Sequence, residues 1–214
     1  MRNNRGKNRD SITVTISKFS INYDYRCPFA RNLNEHVVAA LEEGEPYEVE
    51  FLPFNLSQVH VEEGDPAIWD DPDRAGDRLA NEVGYIVSQE FPDRFLKVHL
   101  DLFAIRHDRG ASLRDRSEIA KVLAEHGIDA EAVFSQVEAG TYARRVREIH
   151  EDQVDRLAVF GVPTVFNGDR AAFVRVMKRP ADSSEKPQEV VERMLDQVFG
   201  HPEFNEVKHT RVDR

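Results

Sequence analysis

Cysteine is nearly absent from this sequence: Cys27 is the only one in 214 residues. A lone cysteine excludes a disulfide within the chain and any multi-cysteine zinc site, and leaves open a disulfide to another molecule. Long apolar runs are also missing. None approaches the roughly 18 residues needed to span a bilayer, so no membrane association is expected. No apolar stretch follows the polar, basic start Met1–Asp10, so this segment does not read as a secretory leader, and the cytoplasm is the expected compartment. Basic residues are outnumbered by acids beyond that start. Four of them (Arg2, Arg5, Lys7, Arg9) lie in the first nine residues, and the rest of the chain sets 25 bases against 39 acids, within a net charge of −10. So acidic a body repels phosphate backbones, which argues against a nucleic-acid partner. There is no H-E-x-x-H, no G-x-G-x-x-G and no P-loop, so neither a metal centre nor a nucleotide cofactor is implied.

What is present is an ordinary globular composition, 40% hydrophobic and 32% charged. The length suits one core, or one domain with a large insertion. Alternation of Ile12, Val14 and Ile16 with Thr13 and Thr15 predicts a strand running to Tyr23. A turn, Asp24-Tyr25-Arg26-Cys27-Pro28, leads into a helix with Phe29, Leu33, Val37 and Leu41 on one stripe and Gly44 as its stop. Tyr47 to Phe54 alternates again and predicts a second strand. Ser57 to Asp73, broken by Gly64, Pro66 and Pro72, reads as loop. From Arg74 to Leu157 every segment has helical spacing, with Asp115 and Asp129 as helix caps. Val162 to Phe166 predicts a strand, Asn167-Gly168-Asp169 a turn, and Ala172 to Met177 its hairpin partner. A helix over Glu189 to Phe199 and a polar tail close the chain. Two strand-bearing halves around an all-helical block imply an α/β sheet domain with a helical insertion.

Cys27 sits where the first strand turns into the first helix. A cysteine in a first helical turn faces unpaired backbone N–H groups and the positive end of the helix dipole, both of which favour the thiolate. Pro28 fits the first helical position, where its missing N–H costs nothing. Arg26 and Arg31 flank the cysteine and are expected to add positive field. Tyr25, Phe29 and Trp69 are candidates to line an apolar groove beside it, and His36 reads as a helix-face residue. The alternative reading of Cys27 is the one common to free cysteines, a small buried hydrophobe.

A strand, an aromatic turn, Cys27-Pro28-Phe29-Ala30 and a helix resemble the active-site arrangement of thioredoxin-like proteins. Gly161-Val162-Pro163-Thr164-Val165 resembles that family's second fixed feature, a proline after a cis peptide bond at the start of a core strand. The helical block between them is similar to the insertion of the DsbA-like branch, near FrnE-type oxidoreductases, hydroxychromene-carboxylate isomerases and kappa-class glutathione transferases. The resemblance implies a thioredoxin-like fold in two halves, 11–62 and 141–200, with a helical insertion at 63–140 between a basic tail at 1–10 and a polar tail at 201–214. It implies Cys27 as nucleophile, Pro28, Phe29 and Ala30 as the rest of its motif, and Val162, Pro163 and Tyr25 as substrate-binding residues.

Two departures narrow the implied chemistry. Ala30 stands where dithiol members have a second cysteine, so Cys27 cannot resolve a mixed disulfide internally. Ile21 stands where many members bury an acid, and Asp24 is the nearest substitute. The expected activity is monothiol exchange, with release by an external low-molecular-weight thiol, glutathione or mycothiol, or by a protein or peptide thiol. A transferase or isomerase dependent on such a thiol is the enzyme alternative, since Leu52-Pro53-Phe54-Asn55-Leu56 resembles a segment of that branch, which usually has serine at position 27. A redox-inactive binding or adaptor protein is the non-enzyme alternative. No tightly bound cofactor is implied, and the wide apolar stripes of the helical block suggest a homodimer.

Overall fold

The computed structural model describes residues 16–201 together with 203, 205, 206, 208 and 209. The predicted basic tail and the strand positions Ile12 to Thr15 lie outside the described residues. The first strand, β1, runs over Lys18–Tyr23, the first helix, α1, over Pro28–Glu42, and β2 over Glu48–Pro53. β1 and β2 pair in parallel, with Ile21 opposite Phe51, so the opening segment is a βαβ unit. After a helical block the chain re-enters the sheet as β3 (Thr164–Asn167) and β4 (Arg170–Phe173). β3 runs antiparallel to both β1 and β4, giving the order β2-β1-β3-β4. Gly168, at φ +60°, makes the hairpin turn between β3 and β4.

The helical block comprises a short turn of helix, α2 (Leu56–Val59), then α3 (Ala75–Glu90), α4 (Pro92–His107), α5 (Arg116–Glu125), α6 (Ala130–Glu138) and α7 (Ala143–Leu157). Asp115 and Asp129 cap α5 and α6 by accepting the N–H groups of Ser117 and Glu131 at 2.8 and 3.0 Å. The last helix, α8, spans Pro187–Leu195 and continues as a wider π turn over Asp196–Gly200. Several predicted bounds move, among them the first strand, which begins at Lys18, and the strand predicted from Val162, which begins at Thr164. The loop over Ser57 to Asp73 contains the end of α2 and the start of a 3-10 turn, Pro72–Arg74. The hairpin partner is shorter and earlier than Ala172 to Met177, because the tight turn at Gly168 brings the chain straight back at Arg170. The closing helix starts earlier, with Pro187 in its first turn.

Alternation along β1 sends Phe19, Ile21 and Tyr23 into a core shared with Leu33 and Val37 of α1, Val191 and Leu195 of α8, and Val98 and Leu102 of α4. Each such side chain contributes roughly 1.5–3 kcal/mol by leaving water. The other face carries Asn22, which is fully buried. Its amide donates to Gln153 Oε1 of α7 at 2.9 Å and accepts the Thr164 N–H at 2.6 Å, tying β1, β3 and α7 together.

Among the contacts between the helical block and the sheet half, one is a very close approach. Tyr25 is wholly buried, and its ring lies against α3 at Gly84. A Cβ at Gly84 would overlap the Tyr25 hydroxyl and stand 2.9 Å from its Cε2. The ring cannot swing aside, because the hydroxyl is hydrogen-bonded to His99 Nδ1 at 2.9 Å. Gly84→Ala is therefore expected to cost about 1–3 kcal/mol of stability as an overpacked core. Urea titration of the two proteins measures it; an unchanged midpoint would show that the contact is not tight.

Candidate active site

The strand end and the helix start build the site locally. Asp24 O accepts the Cys27 N–H at 2.9 Å, closing a turn, and Asp24 Oδ1 accepts the Arg26 N–H at 2.9 Å. Cys27 then caps α1: its Sγ lies 3.4 Å from the Ala30 N–H, and Pro28 occupies the first turn. Across the site the Val162–Pro163 peptide bond is cis, and Cys27 Sγ–H donates to Val162 O at 3.4 Å. The structure thus brings Cys27, Pro28, Phe29, Ala30, Val162 and Pro163 to one place from segments 135 residues apart.

The electrostatics differ from the sequence expectation in three respects. First, the Cys27 thiol is pushed up, not down. Only 8% of the residue is exposed, and burial outweighs the Ala30 and Phe29 N–H groups that favour the thiolate; buried Asp24 adds to the rise. Second, Arg26 and Arg31 are engaged elsewhere. Arg26 donates to Ser57 Oγ and to Asp77 O, both at 2.6 Å, and Arg31 is paired with Glu35 and Asp108. Third, the cation whose field favours the Cys27 thiolate is Arg175, just beyond β4, which no local pattern in the sequence connects to residue 27.

Tyr25 does not line a groove. Its ring is fully buried, because Gly84 admits it into the core and His99 holds its hydroxyl. Trp69 packs toward His150, with ring centroids 5.7 Å apart, in a cluster with Tyr85 and Ile149. His36 is also buried, and its Nε2–H donates to Lys178 O at 3.1 Å. Phe29 remains partly exposed beside Cys27.

The buried acid of the site is Asp24. Burial raises its carboxyl above the usual range, against the opposing pull of Arg26 and the N–H groups of Arg26 and Leu56. Its oxygens are held by those N–H groups, at 2.9 and 2.8 Å, and among the described residues no hydrogen bond joins it to the sulfur. Behind the site runs a connection that sequence reasoning missed. Asn34 Nδ2 donates to Ala30 O at 2.8 Å, which leaves Asn34 Oδ1 to accept His99 Nε2–H at 3.0 Å. His99 Nδ1 is then the acceptor for the Tyr25 hydroxyl. Burial holds His99 neutral, its pKa lowered to about 3. The helical block thus grips both the active-site turn and the active-site helix through one imidazole. The signal for it was the period of α4, which puts His99 on the buried face beside Val98, Leu102 and Phe103.

A cysteine capping a helix opposite a cis-proline loop, on this sheet with this insertion, defines a thioredoxin-like thiol site. Residues 19–188 match the model of the DSBA-like thioredoxin domain, and the chain belongs to that family, one of oxidoreductases and isomerases. Among solved structures, a 2-hydroxychromene-2-carboxylate isomerase superposes with a TM-score of 0.61 at 16% identity, over 86% of this chain and 95% of that one. BdbD from Bacillus subtilis, in its oxidised form, gives 0.56 at 18%, over 85% and 86%. DsbA from Pseudomonas aeruginosa gives 0.54 at 17%, over 90% of each chain. At these identities the likeness is one of fold. No curated protein matches the sequence.

Proposed function

We propose that the protein is a monothiol oxidoreductase in which Cys27 exchanges with disulfides of low-molecular-weight thiols. The observation that carries this reading is the seat of Sγ, 3.4 Å from the Ala30 N–H and 3.4 Å from Val162 O. The first contact stabilises a thiolate at the helix terminus, and the second marks the peptide edge along which a thiol's own backbone would lie. In the reaction Cys27 first loses its proton to solvent. The thiolate attacks one sulfur of the disulfide, an Sγ–S bond forms, the S–S bond breaks, and the other half leaves as thiolate. Position 30 offers no second thiol, so an external thiolate attacks the mixed disulfide, restores Cys27 and carries away the new disulfide. The raised thiol makes the first step slow at neutral pH and faster as pH rises.

One observation favours a second reading. A buried, protonated thiol is also suited to stay intact and donate a hydrogen bond to the sulfur of a bound thiol, as a transferase or isomerase on this fold would use it. Cys27→Ser separates the two, since serine keeps a donor and loses the nucleophile. Under the exchange reading Cys27→Ser forms no adduct with glutathione disulfide or mycothiol disulfide in intact-mass measurements, while the wild type forms one. Under the thiol-binding reading the wild type forms none, and Cys27→Ser binds glutathione as well as the wild type does in calorimetry. The cytoplasmic compartment and a homodimer remain part of the proposal, tested by cell fractionation and by light scattering.

A further inference from the structure

Most guanidinium groups in this protein are matched to carboxylates: Arg31 with Glu35, Arg74 and Arg114 with Asp77, Arg147 with Glu151, Arg156 with Asp152, Arg179 with Glu35. Arg175 differs. It is exposed and has no carboxylate within ion-pair distance among the described residues, in a chain of net charge −10. Two aromatic rings hold it instead. Its guanidinium carbon stands 4.8 Å from the ring centre of Phe29 and 5.5 Å from that of Phe173.

Both rings belong to the walls of the active site. Phe29 follows Cys27 by two residues in α1. Phe173 packs on the loop before Pro163, where a Cβ at Gly161 would meet its ring at 3.5 Å. The neighbouring Phe160 is 68% exposed and lies 5.2 Å from Phe173, ring centre to ring centre. Arg175 therefore spans the two segments that carry Sγ and its acceptor Val162. Contact with the ring faces fixes a guanidinium without using up its N–H donors. Those donors stay available as a planar fork, the geometry that takes a carboxylate through two parallel hydrogen bonds.

We propose that Arg175 is the specificity-determining residue of this site, an anchor that selects thiols and disulfides bearing carboxylates over neutral ones. The inference rests on the reading of Cys27 as the reacting atom and names its substrate class. Glutathione, a peptide with two carboxylates, belongs to that class; mycothiol, a sugar-based thiol without a carboxylate, does not. The influence of Arg175 on the Cys27 thiol is consistent with the same proximity.

The test compares two alkylating reagents of nearly equal size, iodoacetate with its carboxylate and iodoacetamide without. The ratio of their rate constants at Cys27 cancels the fraction of thiolate, because both react with the same sulfur at the same pH. The wild type is expected to show a higher iodoacetate-to-iodoacetamide ratio than Arg175→Gln, by about fivefold at low salt, the size of one exposed charge pair. Arg175→Lys should keep part of the preference, since it retains the charge and loses the fork, and added salt should shrink it. Glutathione disulfide against hydroxyethyl disulfide should show the same ordering in mixed-disulfide formation. Equal ratios in the wild type and Arg175→Gln would overturn the proposal. Failure of both reagents to label Cys27 would remove the reading of Cys27 itself, and this inference with it.

Discussion

Ala30→Cys should convert a protein with no internal disulfide into one that bridges Cys27 to the introduced thiol and reduces or oxidises dithiol substrates catalytically. Position 30 lies one helical turn after Cys27, the spacing at which side chains on a helix become neighbours. Its backbone N–H already points at Sγ, 3.4 Å away, so the two residues share one face of the first turn of α1. Ala30 is fully buried while Cys27 keeps 8% of its surface exposed, which gives the added thiol the more shielded position, that of a resolving group. The oxidised variant should lose two mass units and both titratable thiols, and it should accelerate insulin reduction by dithiothreitol where the wild type does not. A variant that folds, retains two free thiols under mild oxidation and shows no turnover would mean that the turn has departed from the geometry its family membership implies.

Acid should destabilise the fold chiefly through two imidazoles that are buried uncharged; burial also lowers His36 and His107, which add in the same sense. His99 has a pKa lowered to about 3 and His150 one lowered to about 4, in each case chiefly by burial. In the unfolded chain both accept a proton near pH 6.5. Between 6.5 and the folded values the unfolded state binds more protons, so stability is full above 6.5 and is lost as the pH falls. At about 1.4 kcal/mol per unit for each group, the two together remove roughly 5 kcal/mol by about pH 4.5. Asp24 and Glu82 work in the opposite sense. Burial raises both carboxyls, so they protonate sooner in the folded chain and return part of that loss. The net expectation is a urea midpoint clearly lower at about pH 4.5 than at pH 7, with the ring resonances of His99 and His150 unmoved above about pH 5. Equal midpoints, or two rings titrating near the unperturbed histidine value, would contradict the buried contacts of His99 to Tyr25 and Asn34.

The parts of the fold that the sequence displays are those written in short-range signals. The seating of Cys27 follows from Pro28 in the first turn of α1, and the end of that helix from Gly44 at φ +94°. Asp115 and Asp129 mark the starts of α5 and α6 at the positions their spacing predicts. The hidden parts depend on pairs far apart in the chain. Tyr25 looks available for a groove because nothing nearby in sequence reveals that Gly84 opens a slot for it. Arg26 looks like an activating charge because its partner Asp77 lies 51 residues away; Arg31 has one partner, Asp108, 77 residues away, and another, Glu35, at the local i,i+4 spacing. The thiol looks depressed because the helix terminus is a local feature, whereas the burial that outweighs it is assembled by the loop at Val162. Arg175 is invisible for the same reason: only the β3–β4 hairpin returns it to Phe29.

The most direct test of Cys27 as a monothiol nucleophile is the intact mass of the wild-type protein after exposure to glutathione disulfide at mildly alkaline pH, followed by free glutathione. Exchange at Cys27 predicts the gain of one glutathione per chain, located at Cys27 by peptide mapping, and its complete removal by the added thiol. A chain that keeps its original mass while folded, and takes up the adduct only when denatured, would contradict it.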